Sequence, residues 1–478
     1  MNRKYISIFR RRYLLFGLLL AAQVSSLVAQ ERPLPNVIFI MADDLGIGDI
    51  GPYGQKIIKT PAIDKLSAEG IRFAQHYVGA PVCGPSRCSV ITGKHTGRTN
   101  IRGNALTPKS QGEEFDKPLA AKEITIAEVM KRKGYATAAI GKWGLGGPDS
   151  EGSPNKQGFD YFFGYLNQAS AHKHFPQFLF ENNTRVTLDK KVYSHDAMEE
   201  KALGFIEKNA DSPFILYFVP TLPHAELLVP NDDIGEYAGM FPEKPFTGDP
   251  TGVGFAPQAR PIGTYAAMVA RLDKSVERIL DLLKQRNIDK NTIVIFTSDN
   301  GVHDRAGYNP DVLDSNGPFR GIKRDMYEGG IRTPFIVRWP DKIKPGTVSF
   351  HISAFYDLLP TLCHLIGVKA PESTDGVSFL PSLTGKGIQQ KHDYLYWELH
   401  ESGGRQAVLK DNWKLIRFNA DNKDAWKYEL YNISQDPGEQ MNVVTQYPEK
   451  VKAYIQLLDK AHHRNDQYLF GHERNNSK

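Results

Sequence analysis

Four oxygen-bearing side chains stand in two adjacent pairs: Asp43-Asp44 in "IMADDLG" and Asp299-Asn300 in "FTSDNG". Each pair follows an apolar run of strand length, "NVIFIM" at 36–41 and "TIVIFT" at 292–297. Three carboxylates brought together repel one another unless a cation neutralises them. A hard divalent ion such as Ca2+ seeks such donors, roughly six to eight oxygens at a time. Taken singly, "DDLG" and "SDNG" are also ordinary turn sequences with Asx chemistry. Together, each behind a buried strand, they point to one metal ion, and no Cys/His set has zinc spacing. A third polar cluster, "GKWG" with Lys142, ends another apolar run, "YATAAIG" at 135–141.

The other reactive group is Cys83, in "PVCGPSRCSVITGK" at 81–94. Its chemistry stays open on spacing alone. It could pair with Cys88, five residues on, or be a buried thiol, or be a nucleophile served by a histidine that spacing does not place. Three cysteines in all, Cys83, Cys88 and Cys363, are too few for a disulfide scaffold, so the fold must rest on its core.

The elements that must position these groups alternate. "FILYFV" (214–219) and "PFIVRW" (334–339) join the runs above as buried strands. "TPAIDKLSAEG" reads as a helix with Thr60 as cap, Pro61 in the first turn and Gly70 at the end. "ITIAEVMKRKG" reads as another, with Thr125 and Glu128 at capping-box spacing and Gly134 as terminator. Residues 265–287 form a long amphipathic helix with Met268, Leu272, Ile279 and Leu283 on one face. Strands alternating with helices argue for an α/β fold, a large mixed but mostly parallel sheet covered on both faces. In such sheets ligands bind beyond the carboxyl ends of the strands, where all three polar clusters sit. After residue 390 the texture changes to short aromatic strands and one helix. Residues 391–478 therefore read as a small antiparallel sheet plus helix, packed on a main domain of residues 31–390. Residues 226–260, rich in Pro, Gly and Asp, read as an excursion near the active face.

Residues 1–30 carry Arg3, Lys4, Arg10, Arg11 and Arg12 ahead of the apolar run Leu14 to Ala22. That is the layout of a signal peptide, with an uncleaved anchor as the alternative, and implies a secreted or periplasmic protein. No later segment is long and apolar enough for a membrane span, so none is expected in the mature protein. Without these 30 residues the chain balances 54 basic against 54 acidic residues, so the formal +5 does not signal nucleic-acid binding.

"CGPSRCSVITGK" resembles the signature of the type I sulfatases, members of the alkaline phosphatase-like superfamily. "NVIFIMADDLGIGDIGPYG", "TIVIFTSDNG", "GIKRDMYEGGIRTPFIVRWP" and "ELYNISQDPGEQMN" resemble further family segments, in order along the chain. The resemblance implies that Cys83 is oxidised to formylglycine by a formylglycine-generating or sulfatase-maturating enzyme. The hydrated aldehyde then attacks sulfur, beside one Ca2+ held by Asp43, Asp44, Asp299 and Asn300 together with residue 83. It implies that Arg87 orients the diol, that Lys142 and Lys323 bind sulfate, and that His224 with Lys323 protonates the leaving oxygen. One departure stands out. Many members read Gly-Lys-Trp-His where this chain has "GKWG", so Gly144 replaces a histidine that contacts the diol. His303 is the candidate substitute, His95 a weaker one.

The substrate expected is a sulfated saccharide, with galactose or N-acetylgalactosamine sulfate foremost. "GYLNQASAHKHFP" (164–176) offers Asn167, Gln168, His172, Lys173 and His174 as sugar contacts, His172 and Lys173 above all. Two other readings compete: a phosphoester or phosphonate hydrolase of the same superfamily, and a non-catalytic secreted sugar-binding protein.

Overall fold

The central strands are unbroken apolar runs, the pattern of strands covered on both faces. The computed structural model describes residues 34–104, 115–249 and 254–474, so the expected signal peptide lies outside the described residues. In chain order the first strands are β1 (Asn36–Ala42), β2 (Ile71–Phe73), β3 (His76–Tyr77), β4 (Ala136–Lys142), β5 (Tyr161–Tyr165) and β6 (Phe178–Glu181). Then come β7 (Thr184–Thr187), β8 (Phe214–Val219), β9 (Thr292–Ser298), β10 (Phe335–Arg338), β11 (Thr347–Ser349) and β12 (Ser353–Ala354). Ten of them form one sheet in the order β11-β2-β10-β9-β1-β8-β4-β5-β6-β7. The run β9-β1-β8-β4-β5 is parallel. β10 runs antiparallel to both its neighbours, and β6 and β7 form an antiparallel edge ribbon.

Alternation of side chains across the sheet builds two cores. Ile38 and Ile40 on β1 join Met198 and Ala202 of helix α4 (Ser194–Lys208) and Met268 and Leu272 of helix α5 (Pro261–Gln285). Here α1 is Pro61–Ala68, α2 Cys83–Thr92 and α3 Ile126–Lys131. Phe39 points the other way, toward Tyr217 and Phe355, beside α6 (Leu358–Leu365), which packs on α2. The four residues expected on the inner face of α5 are all fully buried. Thr125 and Glu128 cap α3 reciprocally, at 3.2 and 2.9 Å. Thr60 does not cap α1. Its hydroxyl instead accepts from the Gly51 N–H and donates to Asp64, tying the helix to the preceding turn.

The C-terminal sheet is antiparallel, in the order β13 (Leu395–Leu399), β14 (Arg405–Lys410), β15 (Trp413–Phe418), β16 (Lys427–Asn432). Helix α7 (Pro448–Ala461) covers one face, with Tyr454, Leu458 and Ala461 against Tyr396, Val408, Leu415 and Leu430. Trp397 donates its indole N–H to the Val78 carbonyl, and Lys414 pairs with Glu328, at 2.7 and 2.8 Å. These contacts anchor the small sheet beside the segment that leads into α2.

Candidate active site

The parallel register brings the carboxyl ends of β1 and β9 level, Ala42 opposite Ser298. The next residues of each strand therefore leave the sheet side by side. The Asp44 N–H donates to Asp299 Oδ1 at 3.1 Å, and Asn300 Nδ2 donates to Asp44 Oδ1 at 2.7 Å. Asp44 has φ 64°. A non-glycine residue in that region costs of order 1–3 kcal/mol, a strain tolerated where the surroundings fix it for a purpose.

Helix α2 brings in the third component. Cys83 is its first residue, and Cys83 Sγ lies 3.7 Å from Asp43 Oδ1 and 4.0 Å from Asp44 Oδ1. The hydroxyl of Ser86 donates to the Asp299 carbonyl at 2.6 Å. The Arg87 guanidinium donates to Asp299 Oδ2 at 2.7 Å and to the Lys142 carbonyl at 2.8 Å. These bonds make a helix whose ten residues are all buried affordable despite its polar composition. Cys83, Cys88 and Cys363 are free, buried thiols, so the disulfide alternative is overturned. Five residues apart on one helix, Cys83 and Cys88 project from different sides.

Three cations meet the three carboxylates. Lys142, the last residue of β4, reaches Asp43 at 2.8 Å; Lys323 reaches both oxygens of Asp44 at 2.7 Å; Arg87 bridges Asp299 and Asp43. Burial alone would raise the Asp43 carboxyl, but Lys142 and Arg87 outweigh it and hold Asp43 well below the usual carboxylate range. Asp299 goes the other way, pushed up to about 7 by burial and by repulsion from Asp43. Burial pushes the Cys83 thiol up to about 12, so position 83 is no resting thiolate.

His224 completes the cluster. Its Nδ1 hydrogen-bonds the Ala225 carbonyl, which leaves Nε2 as acceptor. That nitrogen lies 3.1 Å from the Lys323 ammonium and 3.3 Å from Asp44 Oδ2. Burial and then the nearby Lys323 push the imidazole well below its ordinary value, so it is neutral.

Asp43, Asp44, Asp299 and Asn300 fit a hard cation. All are buried oxygen donors, and Asn300 Oδ1 has no hydrogen-bond partner. Asp43, Asp44, Cys83 and His224 also offer ligand atoms within 4.8 Å of one another. With the carboxylates already matched by three cations, a divalent ion would leave the cluster net positive, a receptor for an anion.

Above lies a cleft of about 370 Å3 lined by Asp44, Cys83, Gln168, His172, His224 and Lys323, among others. His172 stacks on His224 with ring centroids 4.3 Å apart. Lys173 points elsewhere, pairing with Glu226 at 2.5 Å beside a neighbouring pocket that Asn167 also lines. His174 is buried under the loop on the His224 carbonyl. His303 packs near His224, at 5.9 Å between centroids, and hydrogen-bonds around Pro223 and Arg305. His95 lies apart, against Asp375 and Tyr396. Reading by motif missed Asp116, a buried cleft residue whose carboxylate accepts from the Gln168 N–H at 2.8 Å and is raised by burial to about 7. It follows no motif and no apolar run.

Comparison with known proteins identifies the family. Residues 35–368 match the family model described as sulfatase, and residues 320–466 match "N-sulphoglucosamine sulphohydrolase, C-terminal". The chain is 30% identical to an N-acetylgalactosamine-6-O-sulfatase of Bacteroides thetaiotaomicron, covering 90% of this chain and 93% of that one. It is 29% identical to the N-acetylgalactosamine-6-sulfatase of Canis lupus familiaris, over 92% and 82%. Among solved structures, Ps i-CgsB in complex with k-i-k-neocarrahexaose superposes with a TM-score of 0.76 at 28% identity, over 91% and 94%.

Proposed function

The chain belongs to the sulfatase family of sulfuric ester hydrolases, and on that premise we propose that it removes sulfate from a sulfated carbohydrate. A galactose or N-acetylgalactosamine sulfate is the preferred substrate, supported by the names of the relatives above. Cys83 is read as the precursor of formylglycine, made by a maturation enzyme. One Ca2+ is read as held by Asp43, Asp44, Asp299 and Asn300. The protein is read as secreted or periplasmic, with residues 31–390 as its catalytic part and 391–478 as a buttress. The observation that carries the proposal is the position of Cys83 Sγ, 3.7 and 4.0 Å from two carboxylates in a cleft shared with Lys323 and His224.

When present, the ion contributes Lewis acidity and the hydrated aldehyde contributes a paired-hydroxyl nucleophile. The chain's own residues do the rest. Arg87, held from two sides by Asp299 and the Lys142 carbonyl, fixes the first turn of α2 and so aims position 83. The Lys142 and Lys323 ammonium groups oppose charge that builds on the sulfuryl oxygens, which is where preorganised donors are worth most. Lys323 and His224, 3.1 Å apart, share a proton that can pass to the leaving alcohol oxygen. His172, stacked on His224, fixes the plane of that imidazole.

The test is mass spectrometry of the peptide containing Cys83 from the native host, alongside sulfate release from a panel of sulfated galactose and N-acetylgalactosamine derivatives. An aldehyde at 83 with release from the panel is the expected result. An unmodified thiol in protein that turns over, or an aldehyde-bearing protein that releases sulfate from none of them, overturns the proposal.

A further inference from the structure

Gly144 has φ 68°, a conformation strained for any other residue, and a side chain there would have to displace that of Gln168. A Cβ at this position would lie 2.0 Å from Gln168 Nε2, 2.4 Å from its Cδ and 2.8 Å from its Cγ. The Gln168 amide thus occupies the space that a residue-144 side chain would enter. It is held there by its backbone. The Gln168 N–H is bound to Asp116, while the Trp143 and Gly144 N–H groups donate to the carbonyls of Tyr165 and Leu166 at 2.8 and 3.2 Å. Gln168 is 6% exposed and lines the cleft with Cys83 and Asp44, and a Cβ on Gly84, next to Cys83, would come within 3.7 Å of its Nε2.

Neither end of that amide has a hydrogen-bond partner. A buried, unsatisfied primary amide costs about 1–3 kcal/mol, so one facing a cleft of charged groups calls for a ligand. We infer that Gln168 is a direct partner of the sulfate group bound over Cys83: its Nε2–H groups donate to a sulfuryl oxygen and its Oε1 accepts from a hydroxyl. This deepens the proposed function and rests on it for the identity of the anion. A carboxamide does not ionise near neutral pH, so Gln168 binds and orients and takes no part as acid or base.

The experiment reads binding of inorganic sulfate, by calorimetry in calcium buffer, to protein whose Cys83 is left as the thiol. Gln168→Met keeps the volume and removes both hydrogen-bonding ends, and should weaken sulfate binding by about 10- to 100-fold. Gln168→Glu adds negative charge and should weaken it further. Gly144→His forces a ring into the amide's place and should also lose affinity. Thermal unfolding accompanies each variant. A folded Gln168→Met or Gln168→Glu that binds sulfate within twofold of the wild type overturns the inference. So does a wild type with no affinity for sulfate. Because no turnover is needed, failure of the wild type to hydrolyse any ester would overturn the proposed function while this assignment stood.

Discussion

Two clusters of buried charge show how similar groups can serve opposite ends. Beneath the C-terminal sheet, Glu398 accepts from Arg102, His400, His462 and Tyr396 at 2.7–2.9 Å. Burial would raise its pKa, but Arg102 and the two histidines outweigh that and hold it well below the usual range. Beyond β1 and β9, by contrast, Asp299 is pushed up to about 7 by burial and by its neighbour Asp43, although Arg87 touches it. Arg87 Nε, Asn300 Oδ1 and both ends of the Gln168 amide lack partners there. The first cluster is saturated with donors and locks two layers together. The second leaves donors and acceptors alike without partners beside an open cleft, where the proposed ligand would attach.

Breaking each cluster should separate the two roles. The largest effect belongs to Cys83→Ala, which should cut sulfate release at least about 10⁴-fold while leaving the melting temperature unchanged. Arg102→Met should do the reverse. It leaves Glu398 buried without its guanidinium, and should destabilise the fold by about 3–5 kcal/mol in denaturant titration while folded molecules keep their specific activity. Third comes calcium. At 100 times its Kd the ion should add about 2.7 kcal/mol to wild-type stability, and Asp299→Asn should abolish most of that gain in a melting experiment.

The smallest effect sharpens the comparison through pH. Burial would lower His462, but Glu398 and Glu473 raise it above its ordinary 6.5. The folded state therefore binds this proton more tightly than the unfolded chain. Its stabilisation is complete below 6.5 and is lost as pH rises through the raised folded value. Unfolding free energy should fall across that window by at most about 1.4 kcal/mol per pH unit in denaturant titrations, and His462→Gln should flatten the dependence.

Much of the frame was legible because parallel strands covered on both faces leave a continuous apolar signature. "FILYFV" is β8 to the residue, and "TIVIFT" misses only the last residue of β9. The polar residues ending such runs, Asp43, Asp44, Lys142, Asp299 and Asn300, could be read as neighbours because strand ends converge on one edge. The β6–β7 ribbon was not foreseen, since β6 buries only Leu179 and Phe180 and the mixed residues of β7 are mostly exposed, too little for such a pattern. The loop at 164–176 could be read only as a set of polar candidates. Which of them meets the cleft depends on turns held by distant partners: Asp116 turns Gln168 inward, while Glu226 draws Lys173 away. Gly144 registered as an absence in the sequence, and only packing reveals the amide that fills it.

All ten residues of α2 are buried in the folded protein, Cys83 facing only the cleft, and its first turn is bolted to Asp299 beyond β9 and to Lys142 at the end of β4. Any catalyst that must grip the chain on either side of Cys83 to alter it has to arrive while that stretch is still extended. If Cys83 is modified as proposed, the window for that modification closes as the chain folds. On that reading, molecules that miss it would keep the thiol at position 83 once folded.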